Sequence, residues 1–305
     1  MALIMNALDV DNNKMKGKIL VTGANGQLGR CIRDLSVTPV GEGYDFFFTD
    51  VEELDICDKS AVEKYVAENG INIIVNAAAY TAVDKAEDER DAAFRINRDA
   101  VRNLAEVAQN HGAYLVHVST DYVFSGEHCH PYKVDDEIAP KSVYGESKFA
   151  GEEAMRNSGC NGSIIRTAWL YSEYGRNFVK TMLQKGAECD SVRVVTDQVG
   201  GPTYAGDLAG AIFKVLEVNV TKESVRTYHY ANEGVISWYD FTQAIMEIAG
   251  LSCKVNPIFS SEFAAKAQRP AYSVFDLHKI KREMDIEIPY WKHSLKLIIN
   301  KLNKE

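Results

Sequence analysis

Short apolar runs alternate with helical patterns through the first two thirds of the chain. Lys18–Thr22 (KILVT) reads as a buried strand, and Gln27 to Leu35 carry apolar side chains at helical spacing. A second strand, Tyr44–Asp50 (YDFFFTD), precedes a helix over 59–68. A third, Ile71–Ala79 (INIIVNAAA), leads into a long amphipathic stretch over 86–111. The fourth, Ala113–Thr120 (AYLVHVST), is followed by a helix from Val143 and a strand at Ser163–Thr167. Strands that are unbroken apolar runs are buried on both faces, and intervening helices cover both faces when the strands are parallel. The pattern predicts an α/β fold with a doubly wound parallel sheet.

After about Trp169 the rhythm breaks. Strands become fewer, the turn-rich Asp197–Thr203 (DQVGGPT) interrupts them, and helices from Tyr204, Ser237 and Trp291 read as a smaller lobe. The expected division is a loose leader over 1–16, a first domain over 17–168 joined by parts of 190–230, and a C-terminal substrate-binding lobe built from 169–189 and 231–305. No low-complexity linker separates the lobes. They are expected to pack directly, with a ligand cleft between them.

Composition narrows the class. The chain has 305 residues, 46% hydrophobic and 25% charged, as expected of a globular protein with a large core. A net charge of -9 argues against nucleic-acid binding, which needs a Lys/Arg surplus. No stretch approaches the ~20 apolar residues of a membrane span. The six cysteines are scattered without a C-x-x-C pair, which fits reduced thiols. The leader lacks a basic n-region and a cleavage site, so a cytoplasmic location is expected. His128-Cys129-His130 has the look of a metal ligand run, but no second ligand pair stands at zinc spacing, and no metal is expected.

VTGANGQLG places Gly23, Gly26 and Gly29 between the first strand and the first helix. Glycines there allow the tight turn, a close backbone approach to a pyrophosphate and close helix–strand packing, and the helix N-terminus offers free N–H groups. About twenty residues on, Asp50 ends the second strand, where a carboxylate accepts hydrogen bonds from a ribose. The first domain therefore reads as a Rossmann-type NAD(P)-binding domain. The charge of Asp50 would repel a 2′-phosphate and favour NAD, although a nearby Lys or Arg could soften that preference, so NADH or NADPH is expected.

In such sheets ligands sit outside the carboxyl ends of the strands. The third strand ends in small residues, Asn76 to Ala79, and the fourth in Ser119-Thr120-Asp121-Tyr122. Tyr144 and Lys148 stand four apart on the following helix and share a face. Reducing a carbonyl by hydride transfer needs a proton donor and a hydrogen-bond donor at the oxygen. A neighbouring ammonium is expected to lower the phenol's pKa from its usual value near 10.

T-G-x-x-G-x-x-G, the Thr at the fourth strand end and Y-x-x-x-K together resemble the extended short-chain dehydrogenase/reductases. Asn76–Glu87, Ser119–Gly126, Val143–Glu152, Arg166–Tyr171, Asn177–Leu183, Asp197–Thr203 and the late Arg269-Pro270 resemble the dTDP-4-dehydrorhamnose reductase family within them. The resemblance implies NAD(P)H-dependent reduction of the C4 keto group of dTDP-4-dehydro-L-rhamnose. It implies Tyr144 as proton donor, Lys148 as its ribose-binding partner and Thr120 as third catalytic member. Gly26, Gln27 and Leu28 would meet the pyrophosphate, Asp50 and Val51 the adenosine ribose, and Asp55 and Ile56 the adenine. Ala78, Ala79, Tyr80 and Thr81 would line the cofactor. Thr81, Val83, Asp121, Trp169 and Arg269 would reach the nucleotide-sugar substrate.

Some relatives dimerise through magnesium held by a glutamate two positions after the third glycine. Cys31, a poor ligand for a hard cation, stands there instead, which leaves a monomer or another homodimer. Two other readings stay open. A sugar-nucleotide epimerase or 4,6-dehydratase is one, although dehydratases carry Asp-Glu after the Thr where this chain has Asp121-Tyr122. A non-catalytic dinucleotide-binding subunit, resembling the regulatory β subunit of methionine adenosyltransferase, is the other.

Overall fold

The computed structural model describes residues 16–303, so nearly all of the leader expected over 1–16 lies outside the described residues. Five strands alternate with helices: β1 (Gly17–Thr22), α1 (Gln27–Ser36), β2 (Tyr44–Thr49), α2 (Lys59–Asn69) and β3 (Ile73–Asn76), then short α3 (Val83–Ala86) and α4 (Arg90–Phe94). Next come α5 (Ala100–His111), β4 (Tyr114–Thr120), α6 (Val143–Asn157) and β5 (Asn161–Thr167). A sixth strand, Val225–Tyr230, completes a parallel sheet in the order β2-β1-β3-β4-β5-Val225–Tyr230. The chain leaves β1 to one side for β2 and returns to the other for β3. This reversal opens a crevice at the carboxyl edge. Asn76 pairs with His117, so β4 runs three residues past the end of β3 and lifts Thr120 above the rim.

The expected α/β doubly wound sheet is present, with three local differences. The long amphipathic stretch over 86–111 is broken, and a π-helical turn, Arg95–Asp99, precedes α5. The break frees the buried Asn97 side chain: its Oδ1 accepts from Tyr80 N, and its Nδ2 donates to Tyr80 O and Ser147 Oγ. The third strand ends at Asn76, because the following alanines turn out of the sheet to pass Gly23. Beyond Trp169 the strands become shorter rather than fewer. Ser191–Val195 pairs with Lys254–Ile258, Val199–Gly200 with Ile236–Ser237 and Tyr272–Ser273, and Leu170–Tyr171 with Thr203–Tyr204. Two-residue strands carry no alternation that a sequence pattern could reveal.

The helix Ala205–Asn219, whose pattern reads as smaller lobe but which lies in the 190–230 span joined to the first domain, packs with α1 on one face of the central sheet. Its apolar residues share a core with Ile19, Val21 and Leu28. On the opposite face α2, α5 and Met155 of α6 bury Leu20, Ile74 and Leu115. A separate core joins the helices Phe178–Glu188, Trp238–Ala249 and Trp291–Leu302 to the Ser191–Val195 and Lys254–Ile258 strands. No helix among the described residues is long and apolar enough to cross a membrane.

Helix α6 is held by unusually close contacts. Ser142 caps it, accepting from Gly145 N. A Cβ at Gly145 would lie 2.2 Å from Tyr122 O, and one at Gly151 2.0 Å from Asn97 O, so only glycine permits this approach. Beneath the helix Glu152 receives a two-pronged bond from Arg166 of β5, at 2.9 and 2.8 Å, with both side chains buried. Burial pushes the Glu152 carboxyl up, but Arg166 outweighs it and holds the group below its ordinary value. Removing one partner strands a buried charge, whereas removing both does not. Glu152→Ala should cost about 3–5 kcal/mol in urea unfolding. The pair Glu152→Leu with Arg166→Met should cost clearly less; equal losses would mean the charges contribute nothing beyond packing.

Candidate active site

The crevice at the β1/β3 reversal opens into a cavity of about 940 Å³ running from the glycine turn to α6. Gly23 has φ +65, and a Cβ there would meet Ala78 N and Cα at 2.7 Å. Gly29 does not face the cavity; a Cβ on it would lie 2.4 Å from Gly23 O, so it lets α1 pack against the turn. Helix α1 starts at Gly26 with no side-chain cap and no acidic residue in its first turn, leaving N–H groups directed at the cavity. Asp50 is anchored beside this turn, accepting from Asn25 N at 3.0 Å and Val51 N at 2.9 Å. A flat backbone cradle, uncapped N–H groups and a fixed carboxylate suit a dinucleotide. Gln27 ties the cradle to the second lobe, accepting from Ser172 Oγ at 3.1 Å and Asn177 Nδ2 at 3.0 Å.

Of the residues singled out in the sequence, Gly23, Gly26, Gln27, Leu28, Asp50, Val51, Asp55, Ile56, Ala78, Ala79, Thr81, Val83, Thr120, Asp121, Tyr144, Lys148 and Trp169 line this cavity. Tyr80 does not: its hydroxyl donates to Glu89 at 2.5 Å, and only its backbone serves the site, through Asn97. Arg269 lies in an adjoining cavity of about 350 Å³ that shares Asp121, Tyr122 and Trp169 with the first. It donates to Asp84 at 2.6 and 3.0 Å, which holds the Asp84 carboxyl down at about 2. Cys31 is buried in the core beneath α1.

At the far end of the cavity Thr120 Oγ1 donates to Asp121 Oδ1 at 2.9 Å, and Tyr144 lines the same cavity. The expected lowering of the phenol's pKa is not found. Enclosure of the hydroxyl pushes Tyr144 up to about 12, with Thr120 only partly opposing it. The reason is where Lys148 points: its Nζ donates to Val118 O at 2.7 Å and faces His117 Nε2 at 3.5 Å. Burial pushes Lys148 down to about 8, with Glu152 one turn further on pulling it up.

The tautomer of His117 follows from its neighbours. Asn76 Oδ1 accepts from Thr22 Oγ1 at 2.8 Å and Ala78 N at 3.2 Å, so Asn76 Nδ2 donates to His117 Nδ1 at 3.0 Å. Burial holds His117 neutral, so its hydrogen sits on Nε2 and is aimed at Lys148. An ammonium has no lone pair to accept it, and the contact favours the neutral amine. His117 was missed from sequence, where it reads as one residue of a buried strand.

The adjoining cavity holds Asp121, Trp169 and Arg269, which the sequence singles out, among residues it does not. Trp169, in the left-handed region at φ 48, stacks on Trp238 at 3.6 Å. Phe178, Met182, Lys185 and Arg193 also line it; Arg193 is paired with Glu262 and Arg269 with Asp84, and Lys185 offers an ammonium to an anionic occupant. Residues this far apart in the chain carry no shared spacing signal. The two cavities meet at Asp121 and Trp169, close to Thr120 and Tyr144, where a protonated phenol and a hydroxyl can address one carbonyl oxygen.

The model of a family described as RmlD substrate binding domain matches residues 16–304. A dTDP-4-dehydrorhamnose reductase of Aggregatibacter actinomycetemcomitans is 41% identical over 290 residues, covering 92% of this chain and 98% of that relative. The crystal structure of a dTDP-4-dehydrorhamnose reductase from Clostridium acetobutylicum has a TM-score of 0.89 at 42% identity, covering 94% of this chain and 99% of that one. A Bacillus anthracis dTDP-4-dehydrorhamnose reductase solved in complex with NADP has a TM-score of 0.89 at 40% identity, over 94% and 100% of the two chains.

Asp121 supplies a test of the site's electrostatics. Burial pushes its carboxyl up from 3.8 to about 6, and its Oδ2 has no hydrogen-bond partner. The folded state therefore binds the proton more tightly than the unfolded chain, so stability falls as pH rises from 3.8 through about 6 and then levels off. Asp121→Asn should remove this fall and raise the urea midpoint at neutral pH by an amount worth about 2–3 kcal/mol. A variant no more stable than wild type at neutral pH would mean that Asp121 is ionised without cost.

Proposed function

The chain belongs to the family that the RmlD substrate binding domain model describes, and from that premise we propose that it is a dTDP-4-dehydrorhamnose reductase, an NAD(P)H-dependent oxidoreductase. It reduces the C4 keto group of dTDP-4-dehydro-L-rhamnose to give dTDP-L-rhamnose. The observation that carries this reading is that Tyr144 and Thr120 line the glycine-cradled cavity beside the place where it joins the second one. A dehydratase is disfavoured, since Tyr122 occupies the place of a second carboxylate and packs edge-on against Tyr144 at 5.3 Å.

Gly23, Gly26, Gln27 and Leu28 hold the pyrophosphate at the N-terminus of α1, with Gly29 allowing that approach. Asp50 and Val51 take the adenosine ribose, Asp55 and Ile56 flank the adenine, and Ala78, Ala79, Thr81 and the Tyr80 backbone line the path to the nicotinamide. The bound dinucleotide supplies the hydride. Asp50 is acidic and favours an unphosphorylated ribose, so NADH is the better fit and NADPH the alternative. Thr81, Val83, Asp121, Trp169 and Arg269 bound the sugar nucleotide, with Lys185 and Arg193 offering charge to its diphosphate.

Thr120 donates a hydrogen bond to the sugar carbonyl and orients it. Tyr144, held protonated by its enclosure, gives its proton to the oxygen as negative charge develops there. Lys148 binds the nicotinamide ribose hydroxyls and fixes the distance between cofactor and phenol. The enzyme works in a reducing compartment, the cytoplasm, as its six free thiols suggest. It is a monomer or a homodimer; Cys31, turned into the core, offers no magnesium ligand there.

The reading is tested by following oxidation of NADH or NADPH in the presence of dTDP-4-dehydro-L-rhamnose. Tyr144→Phe should lower kcat by about 10²–10⁴ while leaving dinucleotide affinity intact. No oxidation by the wild type, or a variant as fast as wild type, would defeat it; tight dinucleotide binding without turnover would favour the regulatory-subunit reading. His117→Leu removes the N–H aimed at Lys148 and should move the Lys148 limb of the kcat profile to higher pH. His117→Gln, which keeps a donor, should restore it. A limb common to all three proteins would place the control of Lys148 elsewhere.

A further inference from the structure

Outside both cavities, the loop that joins the Thr120 strand end to α6 gathers three ligand atoms. His128, His130 and Asp136 each offer one, and all lie within 4.8 Å of one another. We propose that these three residues bind a divalent transition ion, with Zn²⁺ the species their chemistry suits best.

His128 Nδ1 is buried, has no hydrogen-bond partner and stands 3.9 Å from Asp136 Oδ2, too far for a hydrogen bond. A buried nitrogen left unpaired is costly unless something else satisfies it. The ring cannot turn away freely, because it is stacked on Tyr132 at 4.3 Å with the planes 13° apart. The His130 ring lies 4.6 Å from it. Two imidazoles and a carboxylate thus converge on one point, and a shared cation satisfies all three.

The donor set selects the ion. Imidazole nitrogens suit Zn²⁺ and its transition-metal neighbours, whereas Mg²⁺ and Ca²⁺ require oxygen. Tetrahedral zinc with bonds of ~2.0–2.1 Å holds its ligands roughly 3.3 Å apart, so the loop closes by about 1 Å on binding. Asp136 is already oriented, its Oδ2 accepting from Lys133 N at 2.7 Å. Three protein ligands leave a fourth position for water. No second ligand pair stands at zinc spacing in the sequence, and no metal is expected from it; the turn at Lys133–Asp136 brings in a single carboxylate that spacing does not suggest.

None of the three residues lines either cavity. The site is therefore a clamp on the loop between Thr120 and Tyr144 rather than part of the chemistry, and it does not depend on the reductase reading. Tyr132, beneath His128, also stacks on Phe124 and accepts from Gly126 N at 2.9 Å, so the clamp fixes the platform under this loop.

The test uses the full chain, stripped with a chelator and titrated with Co²⁺ as a spectroscopic probe and then with Zn²⁺. Wild type should bind one equivalent with visible bands of nitrogen and oxygen ligation, and Zn²⁺ should raise its Tm. His130→Ala and Asp136→Asn should each weaken binding about 10–100-fold and abolish the Tm rise. Cys129→Ser should bind as wild type does. His130 is exposed, so its variant should keep both fold and turnover. The proposal is overturned if wild type binds neither ion, if the His130 and Asp136 variants bind as tightly as wild type, or if Cys129→Ser abolishes binding.

Discussion

A two-pronged ion pair with no access to water, Glu152 to Arg166, anchors α6, and the proposed catalytic pair, Tyr144 and Lys148, is mounted on α6. Tyr144, Lys148 and Glu152 follow at four-residue intervals and share one helix face. Fixing the last of the three against β5 sets the height of the other two above the sheet. Such a pair contributes little net stability, since two charges must be stripped of water, but it tolerates almost no displacement. It also supplies the negative charge next to a fully buried lysine: Glu152 is what pulls the Lys148 pKa up against desolvation.

The same demand for proximity explains the glycines. At Gly145 and Gly151 the helix backbone meets the carbonyls of Tyr122 and Asn97, and at Gly23 the first turn meets Ala78. These contacts join the first strand, the third strand, the π-helical turn and α6 into one rim. Asn97 closes the circuit, holding the Tyr80 backbone from both sides while bonding Ser147 of α6. A shift of α6 is thus transmitted to the wall beside the dinucleotide cradle.

This division between local and distant constraint explains what was legible in the sequence. The parallel strands are continuous apolar runs, and the glycine turn, Asp50, Thr120, Tyr144 and Lys148 stand at fixed places relative to them. All of these fall on the same crevice. The π-helical turn was hidden because the residues around Asn97 keep helical periodicity while one side chain is diverted to a backbone far away in sequence. The short strands after Trp169 and the Trp169–Trp238 stack were hidden because two-residue pairings and long-range contacts leave no periodic trace. The helix Ala205–Asn219 falls within the 190–230 span joined to the first domain, although its own apolar pattern does not say which lobe it covers.

The effect of Lys148 on Tyr144 was misread for a deeper reason: spacing fixes which side chains share a face, not where their charged ends go. Lys148 is turned toward Val118 O and the Nε2–H of His117, and the phenol beside it is raised rather than lowered. A phenol that strongly prefers its proton is a poor base for oxidising an alcohol. In the proposed reduction it begins in the correct protonation state, and it would release the proton only as an alkoxide, a far stronger base than a phenolate, develops within reach. Enclosure of Tyr144, the enforced tautomer of His117 and the lowered pKa of Lys148 therefore act in one direction. Together they hold the phenol protonated in the free site, the state the proposed reduction starts from, and this bias is written in burial and in the aim of buried side chains rather than in the Y-x-x-x-K spacing.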